Sequence, residues 1–210
     1  MKTMKMTLAN KITLLRAALS IIMFLLVISG NGWAIIAASL IFAVAAATDW
    51  VDGHIARNTN TYTPFGAIVD PFVDKILVGA AFFSFTGIES LNVPVWAVFF
   101  IVLRELTVST LRVLAALNNH VLAAERWGKF KTVVQLSAIG LIFFIVDVQI
   151  LLPYTRGAPR SVLEFLDTLL GGLPYCATVI AAAITVFSGA SYLKNNWAML
   201  QKSWSLPVDE

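Results

Sequence analysis

Residues 49–74 have the sequence DWVDGHIARNTNTYTPFGAIVDPFVD, which places Asp49, Asp52, Asp70 and Asp74 between two apolar stretches. Residues 33–47 before this segment and residues 76–83 after it contain no charged side chain. An ionisable residue at the edge of a membrane-spanning helix is costly to insert, so it indicates a functional site. Four neighbouring carboxylates also repel one another unless cations lie between them. The segment therefore predicts a metal site where membrane-spanning helices meet the membrane surface.

The composition of the whole chain is typical of an integral membrane protein. Its 210 residues are 59% hydrophobic and 13% charged, whereas a soluble domain carries about 25% charged residues. The 15 Lys and Arg residues form no basic patch interleaved with aromatic residues, so nucleic acid is excluded as a partner. Six apolar runs predict an all-α fold of six transmembrane helices. They cover residues 14–28, 33–49, 67–85, 94–117, 133–152 and 173–193.

The distribution of basic residues predicts how this protein lies in the membrane. Nearly all Lys and Arg flank the runs on one side, and only Arg156 and Arg160 fall on the other. By the positive-inside rule, both termini and the aspartate segment face the cytoplasm. We expect a multi-pass protein of the cell (inner) membrane, with a polar cavity open to the cytoplasm between the second, third and fourth helices. Residues 1–210 form one domain, with an external loop at 153–172 and a cytoplasmic tail at 195–210.

The spacing of the four aspartates predicts that they meet. Asp49 and Asp52 are three residues apart and Asp70 and Asp74 are four apart, so each pair shares one face of a helix. Residues 58–64 are rich in Asn, Thr and Pro and predict a tight turn, as residues 29–32 do between the first two helices. A hairpin therefore brings the carboxylates together. Hard oxygen ligands favour Mg²⁺ or Mn²⁺, and two such ions can clamp a phosphoryl group.

A second group of charges lies in and after the fourth run. Arg104, Glu105 and Arg112 belong to that run, and Lys129 and Lys131 precede the fifth. The four cations exceed what four aspartates and two divalent ions require, so they predict an acceptor that carries phosphate. A buried ion pair with a purely structural role is the alternative for Arg104 and Glu105. The residues alone identify the acceptor only as an anion.

The pattern D-x2-D-G-x2-A-R-x8-G-x3-D-x3-D is matched at every fixed position from Asp49 to Asp74. It resembles the signature of the CDP-alcohol phosphotransferases, membrane enzymes of phospholipid synthesis. The resemblance implies two Mg²⁺ (or Mn²⁺) ions held by Asp49, Asp52 and Asp70, with Asp74 as a further ligand or as the catalytic base. It also implies contacts to the CDP-lipid donor from Gly53, Ala56, Arg57 and Gly66. Small-residue helix packing is the alternative explanation for the glycines and the alanine.

Three further segments are similar to bacterial members of this family that act on glycerol 3-phosphate. They are residues 10–16 (NKITLLR), residues 104–112 (RELTVSTLR) and residues 128–135 (GKFKTVVQ). This likeness implies transfer of phosphatidyl from CDP-diacylglycerol to sn-glycerol 3-phosphate, which yields phosphatidylglycerophosphate and CMP. It implies that Arg104, Arg112, Lys129 and Lys131 bind the acceptor phosphate, and it adds a homodimer. Inositol phosphate and phosphatidylglycerol stay open as other acceptors.

Two non-enzymatic functions are alternatives to this prediction. An ion-coupled transporter also binds cations through intramembrane carboxylates, but near the bilayer midplane and often between inverted repeats. Here the aspartates lie at one interface beside surplus cations, and the sequence shows no internal repeat. A lipid-binding membrane protein without catalysis is the other alternative. The paired carboxylates favour an enzyme.

Overall fold

The computed structural model describes residues 8–59, 64–117, 126–152, 171–197 and 201, with side chains described at 10–48, 72, 73, 75–113, 128–152, 171–197 and 201. A 3₁₀ helix, Glu89–Leu91, connects two of its long helices. Within these described residues the predicted all-α fold is confirmed, with six long helices. These helices are α1 (Leu8–Ile28), α2 (Gly32–Thr59), α3 (Pro64–Thr86), α4 (Val95–Leu117), α5 (Arg126–Leu151) and α6 (Leu173–Asn195).

Several helices extend beyond the apolar runs that predict them. Helix α2 continues past residue 49 to Thr59, and α3 begins at Pro64, so all four aspartates lie within helices. Of the predicted turn at 58–64, residues 58, 59 and 64 belong to these helices, and residues 60–63 lie outside the described residues. Helix α5 begins at Arg126 rather than at residue 133, which places Lys129 and Lys131 on its first turns. Hydropathy marks where side chains are apolar, whereas a helix continues as long as its backbone hydrogen bonds do.

The predicted turn between α1 and α2 is confirmed. Gly30 has a φ of +70°, a left-handed conformation that glycine adopts without steric cost. The N–H group of Gly30 donates to the carbonyl of Val27 at 3.2 Å. The side chain of Asn31 caps α2, since its Oδ1 accepts from the N–H group of Trp33 at 3.0 Å. The predicted external loop at 153–172 and the tail at 195–210 lie mostly outside the described residues.

The helices pack as a bundle around an aromatic centre. Helix α1 contacts α2 and α3, α5 contacts α2 and α6, and α4 contacts α3 and α6. The ring of Phe143 lies 4.8 Å from that of Phe85, edge to face, and 5.5 Å from that of Phe42. Such aromatic pairs add stabilisation beyond their buried area. This centre joins three helices, α2, α3 and α5, at the middle of the bundle.

The outer surface of the bundle is strongly apolar. Leu25, Phe99, Phe144 and Phe187 are each more than half exposed, at 54%, 56%, 64% and 58%. A soluble protein rarely leaves so much large apolar surface in water. Among the described residues, three segments are long and apolar enough to cross a membrane, namely Asn10–Ile28, Gly128–Leu151 and Leu173–Asn195, and two shorter apolar helices are Gly32–Thr48 and Lys75–Thr86.

Candidate active site

A cavity of about 570 Å³ opens at the end of the bundle where α1, α3 and α5 begin and α2, α4 and α6 end. Its walls come from all six helices. Helix α6 contributes Ser188 and Tyr192, and α2 contributes Ala46. A volume of this size is typical of a site for a small molecule. The cavity is therefore a candidate binding site for a small-molecule substrate.

Positive charge dominates the described wall of this cavity. A single carboxylate, that of Glu105, faces six cations there. Cations gathered in a concave, partly dehydrated site attract anions, because the field lines are focused where solvent screening is weak. The six are Arg16, Lys75, Arg104, Arg112, Lys129 and Lys131.

Glu105 is the centre of a buried polar network between α4, α5 and α6. Its Oε1 accepts hydrogen bonds from Nζ of Lys131 and, at 3.1 Å, from Nε2 of Gln135. The NH1 group of Arg104 lies 3.6 Å from the same oxygen. Gln135 also donates to Oγ1 of Thr185 at 2.9 Å, so its amide links α4 to α6. The network keeps charged groups hydrogen-bonded within an apolar bundle, where an unpaired charge would be costly.

The side chain of Arg104 reaches from α4 to α6. Its NH2 group donates to Oγ of Ser188 at 2.9 Å. A Cβ atom placed on Gly189 would lie 2.6 Å from Cγ of Arg104, which is too short for two carbon atoms that are not bonded to each other. The absence of a side chain at Gly189 therefore makes room for the arginine stem. With any other residue type at this position, the arginine stem or its surroundings would have to shift.

Lys75 and Ser109 connect α3 to α4 at the same cavity. The ammonium group of Lys75 donates to Oγ of Ser109, and this hydroxyl donates to the carbonyl of Glu105 at 2.6 Å. Lys75 directly follows Asp74 in α3, and Ala46 precedes Asp49 by three residues in α2. The helix segments that carry the four aspartates thus adjoin residues that line the cavity.

The chemistry of the predicted metal ligands suits hard divalent cations. All four are carboxylates, carried by two helices that contact each other, and oxygen ligands of this kind are those that Mg²⁺ and Mn²⁺ prefer. Among the residues whose side chains are described, no group of three His, Cys, Asp or Glu offers another metal site. The side chains of Asp49, Asp52, Asp70 and Asp74 lie outside the described part, and so do the surroundings of Gly53, Ala56, Arg57 and Gly66. Their roles stay predictions.

The structure brings together the four cations for which the sequence predicts an acceptor role. Arg104 and Lys131 are buried, Arg112 and Lys129 are exposed, and all four line one cavity. Arg16, Lys75 and helix α6 also line the cavity, although the sequence predicts no acceptor-binding role for them. A signal for α6 exists, because Thr185, Ser188 and Tyr192 follow one another at spacings of three and four on an otherwise apolar helix.

An apolar groove of about 610 Å³ adjoins the polar cavity between α1, α3 and α4. The two share Lys75, Val78, Glu105 and Ser109. Beyond these, the groove is lined mainly by apolar side chains such as Phe24, Phe72 and Leu106, and it runs along the outside of the bundle. A charged cavity continuous with an apolar groove has the amphipathic character of a lipid with a charged headgroup.

Comparison with known proteins agrees with this geometry. Residues 6–187 match the family model described as CDP-alcohol phosphatidyltransferase. The chain is similar to a Bacillus subtilis protein named CDP-diacylglycerol--glycerol-3-phosphate 3-phosphatidyltransferase, at 33% identity over 93% of the chain and 98% of the relative. It is 37% identical to a probable phosphatidylglycerophosphate synthase of Mycobacterium tuberculosis, over 89% of the chain and 79% of the relative. A cardiolipin synthase (CMP-forming) of Oryza sativa is 32% identical over 81% of the chain and 51% of the relative. The chain belongs to the CDP-alcohol phosphatidyltransferase family.

Proposed function

We propose that this protein transfers the phosphatidyl group of CDP-diacylglycerol to the 1-hydroxyl of sn-glycerol 3-phosphate. The hydroxyl oxygen forms a bond to the lipid-side phosphorus of the donor, and the bond from this phosphorus to the CMP oxygen breaks. The hydroxyl proton leaves to a base, and the products are phosphatidylglycerophosphate and CMP. The observation that carries the proposal is the cavity with six described cations and one carboxylate. The names of the bacterial relatives supply the donor and the acceptor.

Charge favours a phosphate-bearing acceptor. Glu105 offsets one of the cations, and the others suit an anion more than a zwitterion such as serine. Arginine binds phosphate through paired N–H groups and lysine through a compact charge. In this proposal Arg104, Arg112, Lys129 and Lys131 bind the acceptor phosphate, and Arg16 and Lys75 add to the field around it.

The donor is proposed to lie with its diphosphate beside the aspartates. Asp49, Asp52 and Asp70 bind Mg²⁺ or Mn²⁺, and Asp74 is a ligand or accepts the proton of the hydroxyl. The bound ions would neutralise the oxygens that attack and leave. Gly53, Ala56 and Gly66 allow the nucleotide close to the backbone, and Arg57 contacts phosphate or cytidine. The apolar groove beside Lys75 supports a donor that carries hydrocarbon chains.

An acceptor competition assay tests the function. The purified protein in detergent micelles receives CDP-diacylglycerol, Mg²⁺ and one acceptor: glycerol 3-phosphate, inositol phosphate, serine or phosphatidylglycerol. We expect CMP release to be fastest by a wide margin with glycerol 3-phosphate. Faster release with phosphatidylglycerol, the acceptor suggested by likeness to a cardiolipin synthase, would overturn the acceptor and leave the family intact. A transporter or a non-catalytic lipid binder releases no CMP.

We also propose that all six helices cross the membrane of the cell, with both termini and the cavity on the cytoplasmic side. The apolar surface, the three long apolar segments and the position of Arg156 and Arg160 support this topology. Single cysteines at positions 60 and 160 in a Cys176→Ser background test it in intact cells. An impermeant thiol reagent should label position 160 and not position 60. The reverse pattern would overturn the orientation.

The single domain (residues 1–210) and the homodimer belong to the same proposal. The family model covers residues 6–187, which supports one domain over most of the chain. Light scattering that separates protein from detergent mass measures the assembly, and we expect twice the 22.9 kDa of one chain. A mass of one chain in active preparations would exclude the dimer.

A further inference from the structure

Helix α6 presents one polar face to the cavity although it binds no predicted substrate group. The buried residues of this helix include Thr178, Thr185, Ser188, Gly189 and Tyr192. The hydroxyl of Thr178 donates to the carbonyl of Pro174 within its own helix. Thr185, Ser188 and Gly189, by contrast, contact the side chains of Gln135 and Arg104, which lie on other helices and line the cavity. The part of this face from Thr185 onward therefore connects to the charged network of the cavity, whereas Thr178 bonds only within α6.

The first contact of α6 is with Arg104. Ser188 accepts a hydrogen bond from NH2 of the guanidinium at 2.9 Å, and Gly189 leaves space for the arginine stem. Arg104 is only 9% exposed. A guanidinium binds phosphate through a planar fork, so its orientation decides how many N–H groups can reach the ligand. Ser188 thus bonds one end of the guanidinium, and Gly189 leaves room for the stem that carries it.

The second contact runs through Gln135. The Nε2 group of Gln135 donates to Oγ1 of Thr185 at 2.9 Å and to Oε1 of Glu105 at 3.1 Å. Both hydrogens of the amide are thereby used. Glu105 in turn accepts from Lys131. Thr185 thus acts on the ammonium group of Lys131 through two intermediate side chains.

We propose that α6 determines the affinity for the acceptor anion by positioning two of the cations that bind it. Ser188 and Gly189 orient Arg104, and Thr185 orients Lys131 through Gln135 and Glu105. These three α6 residues are positioning residues, since each acts through a cation and not on the substrate itself. The inference rests on the proposed function, in which Arg104 and Lys131 bind the acceptor phosphate. Sites of this kind need supporting side chains that hold the binding groups in place.

A structural role alone predicts a different result. Small and polar residues also hold membrane helices together, and their loss would then lower stability and affect both substrates alike. A positioning role raises KM for the acceptor while KM for CDP-diacylglycerol stays unchanged. The ratio of the two KM values therefore separates the two roles.

The experiment compares three variants with matched controls. Gly189→Ala, Ser188→Ala and Thr185→Val change the positioning residues. As a control, Gly140→Ala adds a methyl group that meets no atom within 4 Å. Ser84→Ala and Thr178→Val each remove a buried hydroxyl that hydrogen-bonds only to a carbonyl of its own helix, α3 and α6 respectively. We expect KM for glycerol 3-phosphate to rise on the order of tenfold in Gly189→Ala, the equivalent of about 1.4 kcal/mol, and less in the other two. The controls should keep the wild-type KM values.

A double variant tests whether Ser188 acts through Arg104. In an Arg104→Lys background, Ser188→Ala should raise the acceptor KM no further, because the group that it orients is already lost. Additive effects of the two substitutions on the acceptor KM would overturn the inference. Unchanged acceptor KM values in Ser188→Ala and Thr185→Val would overturn it as well. These two variants decide the question if Gly189→Ala does not insert into the membrane. Failure of the wild type to use glycerol 3-phosphate would instead refute the proposed function. The same KM comparison would then be made with the anionic acceptor that the wild type does use.

Discussion

Glu105 on α4 accepts a hydrogen bond from Lys131 on α5, and both side chains are buried at the wall of the cavity. Arg104 lies beside the same carboxylate, with its NH1 group 3.6 Å from Oε1. One carboxylate thus offsets part of the repulsion between two cations that lie close together. Because two cations share one carboxylate, the local excess of positive charge is left to attract a bound anion.

Loss of this carboxylate should destabilise the protein strongly. Glu105→Gln leaves two cations buried without a counter-ion, and breaking one side of a buried pair costs about 3–5 kcal/mol. Unfolding in mixed SDS micelles measures the change, with Glu89→Gln, at an exposed position, as the control. The double variant Glu105→Gln with Lys131→Met should recover part of the loss. Equal stability of Glu105→Gln and Glu89→Gln would contradict the burial of the pair.

The exposed cations of the cavity should act on affinity and not on stability. Arg112→Ala and Lys129→Ala should each raise KM for glycerol 3-phosphate and leave the unfolding transition unchanged, since both side chains are exposed. The wild-type KM should also rise with ionic strength, because salt screens exposed charges. Lys194→Ala is the control, as it removes an exposed cation that does not line the cavity. A wild-type acceptor KM in both cavity variants would exclude Arg112 and Lys129 from the binding site.

The aspartate variants should lose activity without losing the fold. Asp49→Asn, Asp52→Asn and Asp70→Asn each remove a charge from the predicted two-ion clamp, and we expect kcat to fall at least on the order of a hundredfold. CMP release at saturating Mg²⁺ measures this loss. Asp147→Asn is the matched control, because Asp147 lies on α5 roughly 16 Å along the helix from the cavity residue Leu136. Substantial activity in any of the three would show that the metal site is wrongly assigned.

A second, half-buried polar contact should affect stability alone. Oδ2 of Asp147 accepts a hydrogen bond from Oγ of Ser39 at 2.6 Å, and within the described part of the chain its buried Oδ1 has no partner. Ser39→Ala leaves the carboxylate without its donor and should lower the free energy of unfolding by about 1–3 kcal/mol. The double variant Ser39→Ala with Asp147→Leu should restore most of the lost free energy of unfolding. In both variants we expect an unchanged kcat for CMP release.

The amino-acid sequence is sufficient to predict the six long helices of the described residues, the two segments that carry the aspartates and the excess of positive charge. Each of these follows from local order. Apolar runs of membrane length predict helices, and the spacings of Asp49 to Asp52 and Asp70 to Asp74 place each pair on one helix face. The start of α5 at Arg126 was not predictable from hydropathy, because its first turns are polar where they line the cavity.

Which polar residues contact one another depends on how the helices pack. Ser188 is 84 residues from Arg104 in the chain, and Thr185 is 50 from Gln135, yet each pair is joined by a hydrogen bond. Nothing local to either residue specifies such a partner, because helix packing angles and rotations decide which faces come together. Gly189 is the plainest case. In the sequence it is one small residue in an apolar helix, and only the crossing of α4 over α6 makes its missing side chain the space that Arg104 occupies.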